Sequence, residues 1–155
     1  MRYAFVSDIH ANLQAWQAVK ADTFVQQVDE IICLGDVVGY GPRPAETLHA
    51  VRSSVERFVI GNHDAVVAGI LDSNLFNDAA QQMIEWTKQC LDDRAARFFN
   101  KMPYTVDVDC GDFWAIGVHG CMHPPESFYY VPPCFLLQRP LVLSIVSPEE
   151  GTAVW

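Results

Sequence analysis

Short apolar runs alternate with amphipathic segments along the first hundred residues of the chain. The runs have strand length and predict β-strands over residues 2–6, 30–34 and 57–60. In the segments between and after them, apolar residues recur every three or four positions, which predicts helices starting at residue 12 and spanning 44–53, 76–90 and 92–101. Two more runs, 104–109 and 113–118, predict a hairpin around Cys110. This alternation of strands and helices is typical of an α/β fold.

Two local features refine the predicted helices. Pro44 suits the first position of a helix, because its missing N–H would have no partner there. The helix over 92–101 is expected to end before Pro103, since a proline disfavours helical backbone at the preceding residue. The helix over 76–90 carries a stripe on one face that we interpret as core: Phe76, Ala80, Met83, Thr87 and Cys90.

The length and composition of the chain predict a single globular domain. The chain has 155 residues, 50% of them hydrophobic and 19% charged, so we expect one domain over 1–155. Its formal net charge of −9 disfavours nonspecific binding to nucleic-acid phosphates. No apolar stretch approaches the roughly 20 residues that cross a bilayer, and the N-terminal run stops at Asp8, too early for a signal-peptide core. The five cysteines include no Cys-x-x-Cys pair, which favours a reduced, cytoplasmic protein.

Polar clusters follow four of the predicted strands. The clusters are Ser7-Asp8-Ile9-His10, Gly35-Asp36, Gly61-Asn62-His63-Asp64 and Val118-His119-Gly120. In α/β sheets, ligands bind at the carboxyl ends of the strands. Four clusters at four strand ends therefore predict one shared site.

The residue types in these clusters suit divalent metal ions. On an extended backbone, Asp8 and His10 would point to the same side, since one residue separates them. Carboxylate, imidazole and amide-oxygen ligands together favour Mn, Fe or Zn, and the candidates are Asp8, His10, Asp36, Asn62 and His119. The two oxygens of Asp36 could bridge a metal pair. Two such ions would acidify a water molecule and clamp the oxygens of a phosphoryl displacement.

Phosphoryl chemistry of this kind also needs a proton donor for the leaving alkoxide. His63 follows Asn62 directly and has an unperturbed pKa of about 6.5, which suits a general acid. Each candidate also has a purely structural interpretation. Asp36 and Asn62 could be ordinary turn residues, His119 a core histidine, and His63 a simple phosphate contact.

Other residues in these clusters have supporting interpretations. Gly35 and Gly61 are expected to let the backbone turn sharply and to leave room for a phosphate. Asp64 is interpreted as a helix N-cap or as support for a ligand. Tyr40 and Arg43 lie in the turn after Asp36, where they could contact substrate or serve only as turn residues.

Together these motifs resemble those of the calcineurin-like metallophosphoesterases. The motifs that carry the resemblance are Asp8-x-His10, Gly35-Asp36-Val-Val-Gly-Tyr-Gly-Pro42, Gly61-Asn62-His63-Asp64 and Val118-His119-Gly120. The Gly-Asp-x-x-Gly-Tyr-Gly-Pro block is most similar to the small bacterial and archaeal phosphodiesterase type. The resemblance covers residues 1–132 and is specific, because four ordered motifs at family-like spacing seldom occur by chance.

The resemblance implies a fold, a reaction and a ligand set. It implies a four-layer αββα sandwich around two divalent ions, with manganese the first candidate, and hydrolysis of phosphodiesters or small phosphomonoesters. The first ion would take Asp8, His10 and Asp36. The second would take Asp36, Asn62 and His119, and His63 would be the acid.

The C-terminal part departs from the family pattern. A Gly-His-x-His motif, which gives each metal one more histidine, is missing, and residues 133–155 read as atypical or truncated. Among possible replacements, His123 reads better as a surface histidine, and Glu149 and Glu150 are weaker candidates. A sandwich incomplete at its C-terminus would expose a sheet edge, which favours pairing with a second copy of the chain. The alternative function is a catalytically impaired or inactive member that binds metal weakly.

Overall fold

The computed structural model describes residues 1–128 apart from residues 112 and 123, and apart from the side chain of Leu75. Its strands are β1 (Tyr3–Val6), β2 (Glu30–Cys33), β3 (Arg57–Phe58), β4 (Thr105–Asp109) and β5 (Trp114–Val118). Its helices are α1 (Leu13–Val25), α2 (Pro44–Arg52), α3 (Asn62–Val67), α4 (Asp78–Cys90) and α5 (Asp93–Phe99), with 3₁₀ turns at Ser73–Leu75 and Pro125–Ser127. The predicted strands and helices are all present, so the α/β class is confirmed.

The strands form two sheets. The first has the order β1-β2-β3 with parallel neighbours, and Tyr3 is paired with Glu30 in its register. The second is the predicted hairpin, in which β4 and β5 run antiparallel with Thr105 opposite Val118. Because all three strands of the first sheet are parallel, their carboxyl ends lie along one edge.

The alternation of side chains along β2 separates two cores. Ile31 and Cys33 pack with residues of the helices, whereas Ile32 and Leu34 pack with Val108 of the second sheet. The helices, the first sheet and the second sheet therefore form three successive layers, which correspond to three of the four layers of the predicted αββα sandwich. On the outer face of the second sheet, Trp114 and Ile116 are exposed (68% and 45%). The atypical C-terminal end at 133–155 lies outside the described residues.

The helices differ from the sequence-based expectation in two respects. Helix α3 was not predicted; it begins one residue after Gly61 and is only six residues long, so its periodicity is too short to recognise. The predicted core stripe of α4 is wrong at Cys90, which is exposed. The buried residues of this helix are Ala80, Ile84 and Thr87.

Asn77 and Asp92 cap the N-termini of α4 and α5, where each side chain accepts hydrogen bonds from backbone N–H groups of the first turn.

The helices of the described part are too short or too polar to span a lipid bilayer.

Candidate metal centre

The loops that follow β1 and β2 run side by side and bring the first three predicted ligands together. Backbone N–H groups of Asp8 and His10 donate to the carbonyls of Gly35 and Asp36, at 3.1 and 2.9 Å. These bonds continue the pairing of the two strands past their ends. Asp8, His10 and Asp36 therefore lie at the same edge of the sheet, as the sequence predicted.

The local geometry of Asp8 and His10 differs from the prediction. Both residues have left-handed backbone, with φ of 55° and 47°, so they do not lie on an extended strand. Their side chains meet through a turn, and His10 Nε2 lies 3.5 Å from Asp8 Oδ1. Ala11, Asp36 and Tyr40 have positive φ as well. Left-handed backbone in residues other than glycine costs free energy and is concentrated at functional sites.

Asp36 is the central carboxylate of the cluster. Its Oδ1 accepts a hydrogen bond from the backbone N–H of His63 at 2.9 Å, which fixes the carboxylate plane. Its Oδ2 lies 3.7 Å from Nε2 of His10 and 3.5 Å from Nε2 of His119. Burial raises the pKa of Asp36 to about 7. A carboxylate buried between two imidazoles is suited to share a cation with both.

His119 is oriented by the end of strand β2. Its Nδ1 lies 2.8 Å from the carbonyl oxygen of Leu34, which can only accept, so Nδ1 carries a proton. In the neutral ring, the lone pair of Nε2 then faces Oδ1 of Asn62 at 2.9 Å. This set of donor atoms, an imidazole nitrogen beside an amide oxygen, fits the ligands of a divalent metal.

His10 is held in the same way. Its Nδ1 lies 3.2 Å from the carbonyl oxygen of Val38, which directs Nε2 toward Asp8 and Asp36. A hydrogen bond from His10, together with one from Ser7, lowers the pKa of Asp8 to about 2 despite partial burial. Nε2 of His10 thus faces both carboxylates, as expected of a residue that would share a metal ion with them.

Asp64 supports the loop that carries Asp36. Its buried carboxylate accepts backbone N–H bonds from Val37, Val38 and Gly61, at 3.1 to 3.3 Å. Burial, reinforced by the charge of Asp36, raises the pKa of Asp64 to about 7. The interpretation of Asp64 as a supporting residue agrees with these bonds.

The two glycines leave room for protein atoms and not for a phosphate. A Cβ on Gly61 would lie 2.1 Å from Oδ1 of Asp36, and one on Gly35 would lie 2.6 Å from the backbone nitrogen of Gly61. Gly35 has a φ of +98°, so it does turn the chain as expected. The close approach of these loops is what lets the His63 N–H reach Asp36.

His63 lies beside the carboxylates and is buried, with 3% of its surface exposed. Rings of His10, Tyr40 and Phe76 contact it, with centroids 4.5 to 4.9 Å away. Its Nδ1 is buried without a hydrogen-bond partner in the described part of the chain. Burial, and then the charges of His10 and His119, lower the pKa of His63 to about 4. Sequence reasoning missed this ring cluster; its only trace was the Gly-Tyr-Gly sequence after Asp36.

The charged residues fall into two possible metal-binding groups that share Asp36. One group is Asp8, Asp36 and His119, and the other is His10, Asp36 and His63; within each, the ligand atoms lie within 4.8 Å of one another. The shared residue is the one expected to bridge two ions. Asn62, which the resemblance places at the second ion, offers an amide oxygen and so lies outside these groups of charged residues. The possible replacement ligands His123, Glu149 and Glu150 lie outside the described residues.

Comparison with known proteins places this chain in a family. A sequence profile of calcineurin-like phosphoesterases matches residues 1–136. The uncharacterized protein MJ0912 of Methanocaldococcus jannaschii is 33% identical over 133 residues, which are 86% of this chain and 55% of that protein.

Solved structures agree with the profile. A metallophosphoesterase from Sphaerobacter thermophilus has 39% identity and a TM-score of 0.66, covering 84% of this chain and 51% of that one. The hypothetical protein PH1004 from Pyrococcus horikoshii OT3 has the same fold with 19% identity and a TM-score of 0.70, covering 80% and 56%. The chain thus spans about half the length of these relatives. By the profile match over residues 1–136 and the 33% identity over 86% of its length, this chain belongs to the calcineurin-like phosphoesterase family.

Proposed function

We propose that this chain is a metal-dependent phosphoesterase that hydrolyses phosphodiesters or small phosphomonoesters with two divalent ions. The observation that carries the proposal is the position of Asp36 Oδ2, which lies 3.7 Å from Nε2 of His10 and 3.5 Å from Nε2 of His119. Backbone carbonyls at Nδ1 direct both imidazoles inward. Manganese is the first candidate, with iron and zinc next, because the donor set mixes carboxylate, imidazole and amide oxygen.

The proposed ligands divide between two ions that share Asp36. Asp8 and His10 would bind one ion with it, and Asn62 and His119 the other. Divalent ions held by these residues would acidify a water molecule and offset the negative charge of the phosphoryl oxygens. Because the described ligands already face one another, little reorganisation is needed for binding.

His63 is the proposed general acid. Its imidazole adjoins Asn62 in sequence and contacts the ring of His10, so it lies at the edge of the proposed metal pair. Burial keeps it neutral in the free protein. A phosphoryl anion beside the ring favours the protonated imidazole, which then donates its proton to the leaving alkoxide oxygen.

Metal content and hydrolysis test the proposal together. Equilibrium dialysis against manganese with elemental analysis should give two ions per chain, and bis(p-nitrophenyl) phosphate or p-nitrophenyl phosphate should be hydrolysed. Asp36→Asn should abolish both, whereas Asp93→Asn, an exposed residue in the first turn of α5, should change neither. Retained hydrolysis in Asp36→Asn contradicts the proposal. If the unmodified chain binds one ion weakly and hydrolyses neither ester, the alternative function, a catalytically impaired or inactive family member, is supported.

The role of His63 has its own variant. His63→Gln should leave the manganese stoichiometry unchanged and lower turnover by about 10²–10⁴-fold, the usual contribution of general acid–base catalysis. A loss of metal in this variant would make His63 a ligand, as one of the two charged groups around Asp36 allows.

We also propose a reducing, cytoplasmic location, which the cysteine pattern supports, and a small phosphate ester as substrate rather than a nucleic acid. A dimer formed through the second sheet is a further part of the proposal. Sedimentation equilibrium tests it, and a monomer at all concentrations contradicts it.

A further inference from the structure

The ring of Tyr40 packs against the imidazole of His63, which no side-chain hydrogen bond at Nδ1 holds in place. The two ring centroids are 4.5 Å apart, and the same tyrosine ring lies 4.8 Å from that of His10. Phe76 contacts His63 from another direction, at 4.9 Å. Nδ1 of His63 is buried and has no hydrogen-bond partner among the described residues. Ring packing therefore replaces the carbonyl bonds that orient His10 and His119.

The turn that carries Tyr40 packs closely against His10 and His63. A Cβ on Gly39 would lie 2.5 Å from Nδ1 of His63, and one on Gly41 would lie 2.2 Å from the carbonyl oxygen of His10. The N–H of Gly41 donates to that carbonyl at 3.0 Å. Between the two glycines, Tyr40 has left-handed backbone with a φ of 50°. Such backbone is costly for a tyrosine and persists only where surrounding contacts hold it.

Tyr40 gains little from burial, since 47% of its surface remains exposed. A ring held in unfavourable backbone while half in solvent contributes less to stability than a core aromatic does. Its contacts are instead with two residues of the candidate site, His10 and His63. This combination indicates a role in the site itself.

We propose that Tyr40 is a positioning residue whose ring holds the imidazole of His63 in the orientation needed for proton donation. The inference rests on the proposed function of His63 as the general acid. Without the tyrosine ring, the imidazole has one packed face open and no hydrogen bond at Nδ1, so it can rotate away from the leaving oxygen. Misplacement of a catalytic group by about 1 Å can lower the rate by about 10²-fold.

The basicity of the leaving group separates this role from a general loss of structure. An acid is needed most when the leaving oxygen is strongly basic, as in a phenyl ester, and least when it is weakly basic, as in a p-nitrophenyl ester. Loss of metal or of folding lowers the rates on both esters alike. Misplacement of the acid lowers the rate on the phenyl ester alone.

The test compares matched phenyl and p-nitrophenyl phosphate esters with the manganese-loaded chain. Tyr40→Ala should lower kcat by about 10²-fold on the phenyl ester and by less than about threefold on the p-nitrophenyl ester, with manganese stoichiometry unchanged. Tyr40→Phe should restore the rate on the phenyl ester, since it keeps the ring. Phe24→Ala, which removes an exposed ring at the end of α1, should change neither rate.

The variant His63→Gln separates a failure of the proposed acid role of His63 from a failure of the positioning role of Tyr40. It should show the same selective loss, and adding Tyr40→Ala to it should cause no further loss. If His63→Gln shows no selectivity between the esters, the acid role itself fails. If it does and Tyr40→Ala lowers both rates equally, or neither, the positioning role of Tyr40 fails.

A measurement without turnover completes the test. In the metal-free protein, the ring ¹H resonances of His63, assigned by their loss in His63→Gln, should be single and sharp. In Tyr40→Ala they should broaden or split, because the ring samples several orientations, and in Tyr40→Phe they should stay sharp. Unchanged sharp resonances in Tyr40→Ala overturn the positioning role even if the chain has no activity.

Discussion

The carboxylate of Asp64 in α3 accepts a hydrogen bond from the backbone N–H of Val37, 27 residues earlier in the chain, with 3.1 Å between Oδ1 and nitrogen. It also accepts from the N–H groups of Val38 and Gly61. One side chain thus ties the loop after β2 to the start of α3. Asp36 lies next to Val37 in that loop, so its position depends on a residue that is not itself a proposed ligand.

Removing this carboxylate should destabilise the fold. Asp64→Ala leaves three buried backbone N–H groups without their acceptor, and each unsatisfied buried donor costs about 1–3 kcal/mol. We expect the free energy of unfolding of the metal-free protein to fall by about 3 kcal/mol or more in urea denaturation. Asp93→Ala on the exposed side of α5 is the control and should change it by less than about 0.5 kcal/mol. A loss below about 1 kcal/mol for Asp64→Ala would show that water replaces the carboxylate.

Gly39 should be required for catalysis beyond its effect on stability. Gly39→Ala places a methyl group 2.5 Å from Nδ1 of His63 and also strains a backbone with φ of +97°. Gly111 is a matched control, because its φ is +89° and a Cβ there meets nothing within 4 Å. Both variants should lose roughly 1 kcal/mol of stability from backbone strain. Only Gly39→Ala should lower turnover, by about tenfold or more; equal turnover in the two variants would contradict the prediction.

Divalent metal should stabilise the folded chain. Asp36 and Asp64 are buried acids whose charged forms burial disfavours, and Asp8 adds a third carboxylate nearby. A ligand that binds only the folded state adds about 2.7 kcal/mol at one hundred times its dissociation constant. Calorimetry should show the unfolding midpoint of chelator-treated protein rising with manganese concentration. Asp36→Asn should abolish that rise, and Asp93→Asn should keep it; a rise of equal size in both would place the metal elsewhere.

The proton on His119 should be at Nδ1. The carbonyl oxygen of Leu34 lies 2.8 Å away and can only accept, so the neutral ring must donate from Nδ1. At a pH where the ring is neutral, ¹⁵N spectra of the metal-free protein should show a protonated Nδ1 and an unprotonated Nε2. His49, which is exposed on α2, provides an internal reference. A proton at Nε2 of His119 would remove the argument that this atom is directed toward a metal.

The sequence by itself determined the order of the strands and of the helices other than α3, and the set of candidate ligands. Apolar runs at β1 and β2 and the motifs at Asp8, Asp36 and His119 could be identified because each is a local pattern of a few adjacent residues. Parallel strands then bring their carboxyl ends to one edge, so the meeting of these motifs followed from topology.

Only the tertiary structure decided how the side chains of the candidate site are oriented. The carbonyls that orient the two histidines come from Leu34 and Val38, which lie 85 residues from His119 and 28 from His10. The left-handed backbone at Asp8 and His10, where an extended strand was expected, arises from the pairing of two loops. The packing of Tyr40 on His63 needs α3 and the loop after β2 to meet. Hydrogen bonds and ring contacts between distant segments have no periodicity along the chain, so they become visible only once the chain is folded.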